Sequence, residues 1–452
     1  MESNMTTGKP MNLLLKFVTP ILLGFIFQQF YNMVDTVIVG RFVSPGALAA
    51  VGSTGTIMFM ILGLANGLTT GYAVLISQKY GAGNRHGTRQ SFVNAILLGL
   101  VSTAVITVIS MVVMHPLLHL MNTPADIYDD AYAYISTICA GSIAVIAYNL
   151  LAAALRSIGD SRTPLYFLIF SALLNIALDL VFIIGFHLGT FGAALATVLS
   201  QGISAVLCMI HILRKVEVLR PQKGDWHFYK KYTLKQLNIG VPMALQFGIT
   251  ASGTMVMQAS INIYGSIAVG GFTAASKVAN LMTAGMPSIG QTMAAYVGQN
   301  FGHGDYDRIH QGTKDAFVIS VIYSVITGVL SVVLLPYIIG LFFDSGVDLG
   351  AYMPYARTYM LECAIFYIPL AMIFIYRNTM QACGYGKTAL MLGVMELIAR
   401  LITAFVSMKI GSYALAVAGD ALAWLSTGIF SWVLYLIVRK HLLKMRADTV
   451  LY

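Results

Sequence analysis

The chain has 452 residues, of which 58% are hydrophobic and only 10% charged, against about 25% charged residues in ordinary soluble domains. No soluble core hides that much apolar surface, so the composition excludes a water-soluble protein. The formal charge of +9 reads as membrane topology and attraction to anionic lipid and needs no nucleic-acid partner.

In chain order, apolar segments long enough to cross a hydrocarbon core are expected at 13–39, 47–77, 93–120, 131–155, 163–186 and 190–213. A second set follows at 238–262, 267–298, 314–342, 355–381, 388–409 and 413–438, each bounded by polar, Gly- or Pro-containing turns. The runs are continuous rather than alternating, which excludes a β-barrel and predicts an all-α integral membrane protein of twelve transmembrane helices. The short polar start leads straight into the first span with no small-residue cleavage site, so that span is expected to be retained.

Lys and Arg are unevenly shared between the two faces. Arg85, Arg89, Arg156, Arg162, Lys215, Lys230, Lys231, Arg439 and Lys440 fall on the side of both termini, whereas Arg41, Arg357 and Lys409 fall opposite, with Asp126, Asp129, Asp130, Asp344 and Asp348. The positive-inside rule then places both termini in the cytoplasm, with the chain multi-pass in the cell (inner) membrane. Cys139, Cys208, Cys363 and Cys383 sit inside spans without metal-ligand spacing and read as small hydrophobes.

The two sets of spans repeat one template. The segment from Ala47 to the turn KYGAGN matches the segment from Ala268 to NFGHGD, so that Gln78, Gly81 and Gly83 correspond to Gln299, Gly302 and Gly304, an offset of 221. Farther on, Gly159, Arg162 and Thr163 correspond to Gly384, Lys387 and Thr388, and Pro20 to Pro242. Polar turn residues carry the match, which chance likeness between apolar helices does not produce. The expected organisation is therefore a six-helix lobe at 1–216, a cytoplasmic linker at 217–235 and a second, pseudo-symmetric six-helix lobe at 236–452, around a central cleft.

Ionisable residues at membrane depth are costly and are functional candidates. Asp35 lies late in the first span, and Asp179 in the fifth, four residues after Asn175 and hence on the same helical face. Facing one another, with the amides of Asn32, Asn149 and Asn175, the two carboxyls would make a site for one proton or one small cation, sodium included. The second half instead carries Lys277, Glu362, Arg377, Glu396, Arg400 and Asp420, whose signs alternate so that they can pair; Glu396 and Arg400 are four apart on one helix. Pro20 removes a backbone hydrogen bond and should bend the first helix, as a hinge or a static kink.

The runs PILLGFIFQQFYNMVDTVIVG, ALAAVG, SQKYGAGN, LRSIGDSRTP and NIALDLVFI together resemble the multidrug and toxic compound extrusion (MATE) transporters, over essentially the whole chain and in particular the DinF-like subgroup. The resemblance implies export of bulky, often cationic organic compounds by antiport with protons or sodium, with alternating access between two lobes. It implies a cation site at Asp35, Asn175 and Asp179 supported by Tyr134, Asn149 and Thr197, and a bending proline at Pro20; no cofactor is expected beyond the coupling ion, and the chain is expected to act as a monomer. Acids that mark a second-lobe sodium site in one branch of the family are missing from the seventh span. The runner-up is a flippase for lipid-linked precursors. A membrane enzyme is disfavoured, since HExxH, GxSxG and nucleotide-binding loops are absent.

Overall fold

A computed structural model describes residues 4–121, 123–342 and 348–450. Asp344 lies outside the described residues. All regular structure within them is helical, which is what a lipid solvent demands, since a helix satisfies its own backbone groups.

The first half runs α1 (Pro10–Phe42), α2 (Pro45–Ser53), α3 (Gly55–Gly81), α4 (Arg85–Leu120), α5 (Tyr128–Ala140), α6 (Ser142–Ser157), α7 (Arg162–Asp179) and α8 (Gly189–Lys215). The second runs α9 (Lys230–Asn262), α10 (Ser266–Thr283), α11 (Gly285–His303), α12 (Tyr306–Ile338), α13 (Leu349–Ile365), α14 (Tyr367–Ala382), α15 (Lys387–Ile410) and α16 (Tyr413–Val450). Among the described residues, nine helices are long and apolar enough to cross a membrane alone, and two bent pairs bring the spans to eleven. The consecutive helices α10 and α11 occupy the remaining position in the order of twelve.

Helix breaks also repeat. The pair α5 and α6 bends by 47° and the pair α13 and α14 by 49°, at Gly141 and Phe366, which the repeat aligns. At Gly141 the methyl groups of Val198 on α8 stand 2.3 and 2.4 Å from where a β-carbon would be, so only glycine admits α8 there. The turn before α4 and the turn before α12 match as well: Gly83 and Gly304 both have positive φ. Asn84 then caps the amide of Gly87 at 2.7 Å, and Asp305 caps that of Arg308 at 3.0 Å.

The chain folds as two compact units, one holding Thr19–Ala244 and the other Thr6–Val18 with the chain from Leu245 onward. In the first, α3 meets the start of α9 backbone to backbone: a β-carbon on Gly71 would lie 2.3 Å from the Cα of Gly240. Lipid supplies no hydrophobic drive between helices, and small residues that permit such approach supply dispersion contact instead. The side of α4 facing away from the unit exposes Val101, Val105, Val108 and Val112, a surface suited to acyl chains rather than water.

The linker is anchored by the same unit. The fully buried Asn94 donates to Gln236 Oε1 at 2.7 Å and accepts from the Tyr229 amide at 3.0 Å and the Thr233 hydroxyl at 3.1 Å. Gln236 in turn donates to the carbonyls of Tyr72 and Ser91.

Candidate functional site

Asp35 reaches the interior of the first unit from α1, and Asp179 from the last turn of α7; both are buried, Asp179 completely. Directly after Asp179 the helix widens into a π turn, Leu180–Gly185, with the amide of Phe186 bonded to the carbonyl of Val181 five residues earlier. Such turns frequently mark functional sites because the extra residue displaces side chains from their α-helical register.

The two carboxyls lie close enough for a proton on one to be shared with the other. Neither oxygen of Asp179, nor Oδ1 of Asp35, accepts a hydrogen bond from any described group. A buried charge without a partner is expensive, and this site presents two side by side. Asn175, one turn before Asp179, donates to the Thr197 hydroxyl at 3.4 Å while its own Oδ1 is buried without a donor. The Thr197 hydroxyl donates in turn to the carbonyl of Ala193 at 3.2 Å. Tyr134, buried on α5, lies within electrostatic reach of both carboxyls.

The arrangement therefore offers a cluster of oxygens without bound donors, contributed by two carboxyls and one amide. It can hold a proton between the carboxyls or present oxygen ligands to a small hard cation. Among the described residues, no group of three or more His, Cys, Asp or Glu side chains could hold a metal ion.

Two residues absent from the sequence reading join the cluster. Tyr31 lies beside the Gln28 and Gln201 amides and within reach of both acids. Its signal was available, since Tyr31 is four residues before Asp35, and Gln201 four after Thr197, each pair on one helical face. Asn32 is exposed, and its carbonyl accepts from the Thr36 hydroxyl at 2.8 Å. Asn149 is half-buried on α6. Pro20 is buried inside α1, which runs on through it as a single helix.

The charges of the second unit are arranged differently. Arg400 bridges Glu396 at 3.3 Å and Asp420 at 3.0 Å, all three buried. The Thr250 hydroxyl donates to Glu396 at 3.3 Å, and that of Tyr359 to Asp420 at 3.1 Å. Arg377 lies over the ring of Phe374, 4.8 Å from its centroid. Lys277 is exposed, and Glu362 is half-buried with Oε2 lacking a donor.

Comparisons with known proteins agree with this architecture. The profile of the MatE family matches residues 20–181 and again residues 242–406, once per half and well over half of the chain together. The probable multidrug resistance protein YpnP of Bacillus subtilis (strain 168) is 27% identical over 394 residues, covering 86% of both chains. The DNA damage-inducible protein F of Escherichia coli (strain K12) is 29% identical over 209 residues, 46% of this chain and 45% of that one. A structure described as the outward-facing conformation of a multidrug resistance MATE family transporter of the MOP superfamily aligns with a TM-score of 0.90 at 20% identity, over 97% of this chain and 98% of that one. The last shows a shared fold, with twelve helices in two lobes.

Proposed function

The chain belongs to the MatE family, the multidrug efflux transporters, and from that membership we propose that it exports bulky, often cationic organic compounds by antiport with protons held at Asp35 and Asp179. One observation carries the reading: a completely buried carboxyl meets a second buried carboxyl, and three of their four oxygens have no donor. A structural role would be served better by an ion pair, as in the second unit, or by apolar packing.

Like charges at short separation in a dry site repel strongly, and one proton turns that repulsion into a hydrogen bond. Protonation thus draws the end of α1 toward the end of α7, and deprotonation releases it. Fifteen residues of helix, about 22 Å, separate Asp35 from Pro20, where α1 lacks a backbone donor and bends at least cost. In this mechanism a proton entering from outside favours release of substrate outward, and its loss to the cytoplasm resets the site. Both termini are cytoplasmic on this reading, and the membrane is the cell membrane.

Sodium is the competing ion, because the Asn175 Oδ1 without a donor adds a neutral oxygen beside the carboxyls. Accumulation of a fluorescent cationic dye in everted vesicles, with proton and sodium gradients imposed separately, distinguishes the two. Accumulation driven by the proton gradient alone is expected. Dependence on sodium alone would transfer the site to that ion, and no accumulation under either gradient would favour a lipid-linked precursor as cargo.

A further inference from the structure

The first unit carries a basic cavity that the transport mechanism does not use. It encloses about 210 Å³ between the start of α4 and the linker, lined by Arg85, Arg89, Glu217, Val218, Arg220 and Gln222. Arg89 is fixed by Asp225 and by His86 Nδ1 at 3.0 Å. Arg220 donates to the carbonyl of Arg214 at 3.2 Å, which brings the last turn of α8 to the rim. With Asp225 answering Arg89, the exposed guanidinium groups of Arg85 and Arg220 face a single carboxylate, Glu217, and the exposed Arg214, Lys215 and Lys223 add to the positive field.

The cluster is not a feature of the repeated template. At the offset of 221 that relates Gln78 to Gln299, Arg85 and Arg89 correspond to Tyr306 and His310, and Arg220 belongs to the linker, which has no counterpart. Arg85 and Arg89 thus have no guanidinium counterparts in the second half, and with Arg89 engaged by Asp225, Arg85 and Arg220 are the guanidinium groups left to meet a ligand.

An apolar groove lies farther along α4, toward the middle of its apolar run. It encloses about 60 Å³ between α4, α6 and α8, among Ile96, Leu100, Ile143, Leu150, Leu151 and Met209. The half-exposed Leu100 and Ile143 open it to the lipid-facing surface. The one hydroxyl in its wall, Thr103, is turned back on the carbonyl of Gly99 at 2.8 Å. Along α4, seven residues from Arg89 to Ile96 span about 10 Å; along α8, five from Arg214 to Met209 span about 7.5 Å. The interfacial zone of one leaflet is roughly 5–8 Å deep, so arginines at phosphate depth and groove at acyl depth match the two ends of one lipid. Trp226 and Phe228, both half-exposed on the linker, suit the headgroup level between them.

We propose that this cavity and groove form a binding site for an anionic phospholipid, its phosphate held by Arg85 and Arg220 and an acyl chain laid between α4, α6 and α8. Planar guanidinium forks bind phosphate oxygens in pairs, and the surplus positive charge selects an anionic headgroup over a zwitterionic one.

Native mass spectrometry of the purified full-length protein tests the site, with dioleoyl phosphatidylglycerol, dioleoyl phosphatidylcholine and inorganic phosphate as separate titrants. The wild type is expected to retain one phosphatidylglycerol at least about 10-fold more tightly than the Arg85→Gln/Arg220→Gln variant, with no such difference for phosphatidylcholine. Equal retention of phosphatidylglycerol by both proteins would reduce it to bulk lipid and overturn the proposal. Displacement by millimolar inorganic phosphate would overturn it in favour of a soluble anion. Should the double variant fail to purify as a single species, Arg220→Gln, whose side chain is exposed, carries the same comparison.

Discussion

The carboxyl of Asp179 meets that of Asp35 at the point where α7 gives way to a π turn. The wider turn breaks the regular backbone ladder directly behind the acid. A continuous α-helix through Leu180–Gly185 would carry the following residues on a different register, so the irregular backbone and the buried charge occur together.

If the pair carries the coupling ion, neutral isosteres uncouple transport without unfolding the protein. Asp35→Asn and Asp179→Asn should each lower proton-driven dye export at least about 10-fold, the loss expected when a positioned proton-transfer group is removed. Thermal unfolding in detergent should show no loss of stability, because an unpartnered buried charge has been replaced by a neutral amide. Unchanged export in both variants would contradict the assignment.

The second unit should respond in the opposite manner. Arg400→Gln leaves Glu396 and Asp420 buried without their shared cation and should destabilise by about 3–5 kcal/mol, the cost of breaking a buried ion pair. Glu396→Gln removes only the longer contact and should cost less. The relative unfolding temperatures of the three proteins check the order, and equal temperatures would place the triad outside the stability of the unit.

Close helix contact makes a sharper prediction at Gly71. A β-carbon there would fall 2.3 Å from Gly240 Cα, so Gly71→Leu must separate α3 from α9 and disturb the Tyr72 carbonyl that holds Gln236. Little monodisperse protein is expected after purification, whereas Gly52→Ala, where nothing lies within 4 Å, should purify as wild type.

At Pro20 the expected change is kinetic. Pro20→Ala restores a backbone donor inside α1 and removes a ring that costs roughly 3 kcal/mol in a helix interior. The variant should be at least as stable as wild type and bind dye in detergent, yet export it more slowly. Full-rate export would make the proline a static feature.

The number and order of spans were legible in the sequence because lipid sets one length scale and the apolar runs meet it. The repeat was legible because Gly83 and Gly304, with Asn84 and Asp305, keep the same turn and cap chemistry. The breaks were not. Gly141 and Phe366 sit inside apolar runs, and what bends the first of them is the approach of Val198 from another helix, which no local pattern records. The pairing of Glu396 with Arg400 followed from helical spacing, whereas Asp420, twenty residues beyond Arg400, joins only through the packing of α15 on α16. Asp35 and Asp179 stood out as acids in apolar segments. Tyr31 and Gln201 did not, since tyrosine and glutamine at membrane depth are common enough to pass as packing. The π turn left no mark in LVFIIG that distinguishes it from an α-helix.

The central claim is that Asp35 and Asp179 exchange a proton as substrate binds and leaves. The most direct measurement is the proton released when tetraphenylphosphonium is added to the purified protein in weakly buffered detergent solution, followed with a pH indicator. Wild type should release about one proton per cation bound, and the Asp35→Asn/Asp179→Asn variant none while still folded. Equal release from both proteins would contradict the claim.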